Sequence, residues 1–186
     1  VLHIAGIDFS EAIVKIGTKF GVEWFICVHT TGRYSKFKSA CAEYIKIEDG
    51  LLNKFDNLTI LRPTMIYGSS SDRNMWKLLN YINSHKIFPV FGSGKNLMQP
   101  VHAKDLGDAY ALVLNNKKIT FGKQYNLSGK NEITYISLLK EVSSSLNRKI
   151  LGMSLSGHIE TKYSRSAWIP LIAGNWYSKD PFTVVT

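Results

Sequence analysis

Apolar positions along this chain change period in a regular order. Val1 to Ala5 is a short apolar run and predicts a strand. From Ser10 the spacing turns helical. Ile13, Val14, Ile16 and Phe20 recur on one face, Ser10 is placed to cap the helix, Glu11 lies in its first turn, and Gly21 ends it. Glu23 to Thr30 (EWFICVHT) is aromatic and β-branched, which predicts a buried strand. Phe37, Ala40, Cys41, Tyr44, Ile47, Leu51 and Leu52 then predict a helix from about Ser35 to Asn53. Leu58 to Arg62 (LTILR) is the next strand, and Pro63 turns the chain into a loop.

The pattern loosens beyond that loop. Asn74 to Ser84 predicts a helix with Met75, Leu78, Leu79 and Ile82 inward, and Phe88 to Phe91 a short strand. Asp105 can cap a helix through Leu114 that buries Leu106, Ala109, Tyr110 and Val113. Gln124 to Leu127 is extended. Thr134 can cap a helix through Leu146 that buries Leu138, Leu139 and Val142. Strands alternating with helices of this length predict parallel βαβ units, an α/β fold. Residues 151–186 break the pattern: Trp168, Ile169, Leu171, Ile172 and Trp176 follow no clean period.

Composition narrows the class. With 186 residues, 45% apolar and 20% charged, the chain has material for one large domain or a domain and a half. No apolar run reaches the roughly 18–20 residues of a membrane span. The first residues have neither a basic leader nor a long apolar stretch, so they do not read as a signal peptide. The net charge of +9 is spread over dispersed lysines without a basic run, which favours a solvated surface over nucleic-acid binding. Cys27 and Cys41 lack metal-ligand spacing and read as buried thiols in a reducing compartment, the cytoplasm. Neither the histidines nor the cysteines predict a metal site. His3 and His29 read as packed strand histidines, Trp24 and Trp76 as core.

Candidate chemistry gathers at strand ends. The second strand runs into HTTGRYSKFKSA, where Tyr34 and Lys38 stand four apart. If Tyr34 begins the helix, one turn puts phenol and ammonium on one face, and the ammonium favours the phenolate. Such a tyrosine can move a proton to or from a substrate hydroxyl. Thr30 or Thr31 adds a hydroxyl. Bare Tyr-x-x-x-Lys is equally a surface pair. Downstream stand LRPTMIYG, residues 61–68, and QPVHAKDL, residues 99–106. Gly92-Ser-Gly94-Lys95 fails the P-loop spacing. His102 with Asp105 is open to a catalytic pair, but the cap reading of Asp105 is preferred.

Together, Thr-Thr-Gly, Tyr-x-x-x-Lys, LRPTMIYG and QPVHAKDL resemble the NAD(P)-dependent epimerase/dehydratase branch of the short-chain dehydrogenase/reductase superfamily. The resemblance covers roughly residues 1–150. It implies a partial Rossmann-like doubly wound parallel sheet over 1–150, with interleaved substrate-lobe elements, and a small C-terminal substrate-lobe remnant or irregular tail over 151–186. VLHIAG and EWFICVHTTG look like the family's fourth and fifth strands, and LRPTMIYG like its sixth strand and the loop beside the nicotinamide. The resemblance implies Thr31, Tyr34 and Lys38 as catalytic residues. It implies Ala5, Gly6, Thr30, Lys38, Pro63, Thr64 and Met65 along the NAD or NADP cofactor. Tyr67, Gln99 and His102 would face the substrate. The implied activity is that of an oxidoreductase or epimerase on a hydroxyl or carbonyl of a small molecule, with a sugar nucleotide as the candidate substrate. The alternative is a noncatalytic relative serving as an NAD(P)-binding sensor, assembly factor or accessory protein. A homodimer is compatible with either.

Three departures bear on this. No Gly-x-x-Gly-x-x-Gly phosphate loop occurs in the chain. Because position 1 already matches the fourth strand, two βα units and a strand are expected ahead of it; without them, dinucleotide binding is expected to be weak or absent. Only Gly32 and Arg33 separate Thr31 from Tyr34, where typical members have a longer loop. Met98-Gln99 stands where sugar-nucleotide epimerases often carry Arg-Asp.

Overall fold

The computed structural model describes the backbone of residues 1–35, 38–72, 74–91, 93–149 and 151–155. In chain order the elements are β1 (Leu2–His3), α1 (Ser10–Lys19), β2 (Phe25–Val28), α2 (Lys38–Leu52), β3 (Leu58–Pro63), β4 (Ile66–Tyr67), α3 (Met75–Ser84), β5 (Ile87–Phe91), β6 (Leu97–Met98), β7 (Val101–His102), α4 (Ala103–Asn115), α5 (Lys117–Thr120), β8 (Gln124–Leu127), β9 (Ile133–Thr134), α6 (Tyr135–Ser145) and β10 (Leu151–Leu155). The main sheet runs β1-β2-β3-β8, with every neighbouring pair parallel. It is the α/β sheet that the alternating pattern predicts.

Side chains alternate across this sheet, as a period of two requires. Phe25, Cys27, Leu58 and Ile60 pack with Val14 of α1 and Leu51 of α2 on one face. Ile26, Val28, Leu61 and Leu127 pack with Val101, Leu106 and Val113 on the other, where α4 lies. Arg62 follows Ile60 and Leu58 in register, so its guanidinium enters the α2 side. A third core joins α3, α6 and β5 through Leu78, Ile82, Phe88, Tyr135 and Leu138. Among the described residues there are also three two-stranded pairings: β5 with β10 and β4 with β7, both parallel, and β6 with β9, antiparallel. Residues 151–155, which lack a clear period, thus gain order from β5. The tail beyond them, with Trp168, Ile169, Leu171, Ile172 and Trp176, lies outside the described residues.

Helix α1 turns a different face inward from the one its apolar spacing predicts. Val14 is fully buried, but Ile16 is 55% and Phe20 83% exposed. Its contact stripe is Ser10, Val14 and Gly17. A β-carbon on Gly17 would meet the Phe25 ring at 2.5 Å, so the small residue admits the aromatic ring and brings the helix close to the sheet. Ser10 does not cap α1 and is wholly buried. Trp76 is 42% exposed rather than core. Trp24 does pack against the α4 side and donates its indole N–H to Thr59 Oγ1 at 2.9 Å.

Two further helix starts are settled by side chains. Thr134 Oγ1 accepts from the Ser137 amide, which is the predicted cap of α6. At α4 the cap is His102, not Asp105. His102 Nδ1 accepts the Lys104 amide at 3.2 Å, and Asp105 lies exposed in the first turn.

Candidate active site at the strand tips

The carboxyl ends of β1, β2, β3 and β8 lie side by side, the place where an open parallel sheet receives a ligand. Ile4, Ala5 and Gly6 leave β1 exposed. Leaving β2, Thr30 is half-buried, and its Oγ1 accepts the Gly32 amide at 3.0 Å, capping a 3-10 turn over Thr31–Tyr34. Thr31 is buried and donates its hydroxyl to the Pro63 carbonyl at 3.2 Å, tying the β2 tip to the β3 tip.

From Pro63 the bonds continue through the second motif. The Thr64 amide donates to Leu127 O at 2.9 Å, and the Thr64 hydroxyl donates to Gln99 O at 2.6 Å. The Val101 amide donates to Met65 O at 2.9 Å, and Tyr67 stands opposite His102 in the β4–β7 ladder. Gln99 Nε2 donates to Gly129 O at 2.7 Å, just past β8. Thr30, Thr31, Pro63, Thr64, Met65, Tyr67, Gln99 and His102 therefore form one continuous seam. Gly68 lets that seam close. It has φ +111°, and a β-carbon there would sit 2.5 Å from His102 Nε2. The Tyr67 and His102 rings meet edge to face at 5.1 Å.

Tyr34 and Lys38 are arranged differently from the one-turn picture. Tyr34 ends the 3-10 turn, Ser35 leaves helical geometry, and α2 spans Lys38–Leu52. The two residues do not share one helix face. The Lys38 side chain lies outside the described atoms. The Tyr34 ring lies instead against two guanidiniums, with Arg33 5.6 Å and Arg62 5.7 Å from its centroid.

Beneath that ring is a buried polar cluster that sequence reading missed. Glu48 of α2 is 1% exposed. Its carboxylate accepts from Arg62 Nε at 3.0 Å and Nη2 at 2.5 Å, from Arg33 Nη1, and from His29 Nδ1 at 2.9 Å. Arg62 also reaches Gln124 and Asn126 of β8. Burial, followed by the nearby Arg62 and Arg33 charges, pulls the His29 pKa down to about 4. The imidazole is therefore neutral at pH 7. Its Nδ1–H donates to Glu48, and its Nε2 accepts from Ser10 Oγ at 3.1 Å. Ser10, His29 and Glu48 have the connectivity of a hydrolytic triad, but all three are buried and Glu48 is neutralised by arginines. They form a structural relay. A signal was present in the sequence: Glu48 falls at helical spacing between Tyr44 and Leu52, on an otherwise apolar face.

Among the described residues, no cluster of three His, Cys, Asp or Glu side chains could hold a metal, and no helix is long and apolar enough to cross a membrane.

The parallel sheet with helices on both faces is of the Rossmann-like class, and the comparisons with known proteins are specific. The model of the NAD dependent epimerase/dehydratase family matches residues 28–128, and the chain belongs to that family. Over 99 residues it is 32% identical to N-acetyl-alpha-D-glucosaminyl-diphospho-ditrans,octacis-undecaprenol 4-epimerase of Escherichia coli O157:H7, covering 53% of this chain and 29% of the relative. Over 89 residues it is 30% identical to NADH dehydrogenase [ubiquinone] 1 alpha subcomplex subunit 9, mitochondrial, of Arabidopsis thaliana, covering 47% and 21%. In fold it is similar to UDP-glucuronic acid 4-epimerase of Bacillus cereus in complex with UDP-glucuronic acid and NAD. That match has a TM-score of 0.59 and 16% identity, over 72% of this chain and 48% of that one. The matched segments thus amount to less than a third of these curated relatives' lengths.

Proposed function

We propose that this chain forms the nicotinamide and substrate side of an NAD(P)-dependent enzyme that epimerises or dehydrates a diphosphate-linked sugar. The observation that carries this reading is the Thr64–Gln99 hydrogen bond, which joins the β3 tip to the second motif and brings Pro63, Thr64 and Met65 beside Gln99. The E. coli relative, whose name specifies a sugar diphosphate, supports the substrate class.

The tips fit the nicotinamide half of the cofactor. Exposed Ala5 and Gly6 and half-buried Thr30, Thr64 and Met65 offer small and apolar groups, and Ser128 Oγ, just past β8, is buried without a hydrogen-bond partner among the described residues. This chain holds no glycine-rich turn for the pyrophosphate. When bound, the cofactor accepts and returns a hydride at the sugar carbon. Tyr34 exchanges the matching hydroxyl proton. Lys38 supports Tyr34 and holds the ribose. Thr30 accepts Gly32 N–H and can still donate its own proton, whereas Thr31 commits its proton to Pro63 and acts by holding the tip. Pro63, Thr64 and Met65 line the nicotinamide, and Tyr67, Gln99 and His102 lie toward the sugar. A cytoplasmic homodimer accords with this reading.

The test uses the full-length protein with NAD and UDP-N-acetylglucosamine, followed by proton NMR at the sugar C4. A C4 epimer or a keto sugar is expected, with Tyr34→Phe lowering turnover by at least about 10²-fold. A second reading, a noncatalytic NAD(P)-binding accessory protein, draws on the break between Tyr34 and α2 and on the respiratory-subunit relative. NAD binding with no sugar turnover, unchanged in Tyr34→Phe, would establish it instead.

A further inference from the structure

We propose that Arg33 is a positioning residue that sets the Tyr34 ring over the strand tips; this rests on the reading that Tyr34 carries the proton. Arg33 immediately precedes Tyr34 in the 3-10 turn. Its guanidinium forks onto two consecutive carboxylates of α2, with Nη1 on Glu48 and Nη2 on Asp49 at 3.0 Å. Its Cζ stands 5.6 Å from the Tyr34 ring centroid. Within the turn itself, the Ser35 amide bonds to Gly32 O at 3.0 Å, and Thr30 caps the start. The turn and α2 are separate elements with a helix break between them, so main-chain helix bonding does not transmit the position of α2 to Tyr34. The Arg33 fork supplies that link.

Geometry separates Arg33 from Arg62, its neighbour on Glu48. The Arg62 side chain is 4% exposed and bridges α2 to β8, so its loss would disturb the sheet. The Arg33 side chain is 17% exposed, and Glu48 keeps Arg62 and His29 when Arg33 is removed. Arg33 is therefore the member of the cluster that can be changed with the sheet intact. Lysine keeps the charge but lacks the planar fork that meets the two carboxylates through separate nitrogens.

The test labels the tyrosines of the full-length protein with 3-fluorotyrosine and assigns the Tyr34 fluorine line by its loss in Tyr34→Phe. In Arg33→Met the Tyr34 line is expected to move and broaden while the other tyrosine lines stay in place. Arg33→Lys is expected to fall between. With NAD and UDP-N-acetylglucosamine, kcat for Arg33→Met should fall by about 10-fold to 10²-fold, as for a misplaced catalytic group, with KM held within about twofold. A role confined to stability would lower the melting temperature and leave both the line and kcat unchanged. A Tyr34 line unmoved in Arg33→Met, or in Arg33→Lys should the methionine variant not fold, overturns the proposal. Full turnover in Tyr34→Phe would refute proton transfer by Tyr34, and the fluorine line would still decide whether Arg33 sets the ring.

Discussion

Thr64 donates its side-chain hydroxyl to the main-chain carbonyl of Gln99 at 2.6 Å, across 35 residues of sequence. LRPTMIYG and QPVHAKDL are held together at this point, and the β4–β7 ladder continues from it. Thr64→Val keeps the shape and removes the donor, leaving a half-buried carbonyl without its proton. The expected loss is about 1–3 kcal/mol in urea unfolding, with helix content unchanged.

Gly129 and Gly50 differ in what an added β-carbon would meet, and alanine substitution separates them. A β-carbon at Gly129 would run into the Pro100 carbonyl oxygen, which is main chain and cannot swing away. Gly129→Ala is expected to cost about 3 kcal/mol or more. At Gly50, inside α2, an added β-carbon would meet nothing within 4 Å. Gly50→Ala should stabilise by about 0.4–1 kcal/mol, because alanine restricts the unfolded chain and favours helix. Paired thermal melts give both signs.

His29 makes stability depend on pH. Its pKa is about 4 in the folded protein against an ordinary 6.5. Between these values the unfolded chain binds a proton that the folded imidazole refuses. This contribution is complete above about pH 6.5, falls as the pH is lowered through the window, and amounts to roughly 3 kcal/mol. Urea midpoints from pH 7.5 to 4 should show the slope, and His29→Gln should flatten it.

Glu48 bridges two arginines that would otherwise face each other near the Tyr34 ring. Glu48→Ala leaves Arg62, with a 4% exposed side chain, without its carboxylate. The expected cost is about 3–5 kcal/mol. Glu48→Gln, which keeps hydrogen-bond acceptance but not the charge, should lose less. Equilibrium unfolding of the two variants measures the difference.

Cys27 sits in β2, fully buried, and burial pushes its thiol pKa up to about 11. It is expected to resist a thiol-specific reagent at pH 8 in the native protein and to react at once in urea. Mass spectrometry of the labelled peptide reads this directly.

Much of the fold was legible because the alternation of periods is local. The strand at Gln124–Leu127 and the Thr134 cap of α6 stand where their residues predict, since neighbouring side chains decide both. For α4 the sequence points to Asp105 as the cap, because carboxylates commonly cap helices. His102 takes the role because the β7 strand, paired to β4, carries its imidazole to the Lys104 amide. Helix α1 misleads for a related reason: the stripe Ser10, Val14 and Gly17 is poor in hydrophobicity but fits the Phe25 ring, and close approach outweighs the bulk of Ile16 and Phe20.

By itself the sequence determined the α/β class, the order of the main strands and helices, and the two motifs that mark the family. Periodicity, β-branching and the motif residues act over a few positions and need no distant partner. The tertiary structure alone decided that Tyr34 stands apart from α2, that Thr31 gives its proton to Pro63, and that Glu48 gathers His29, Arg33 and Arg62 under the tips. Each of these is a hydrogen bond, a charge pair or a helix break whose partners meet only when the β2 and β3 tips come together. Their energy is set by burial that no single stretch of sequence contains.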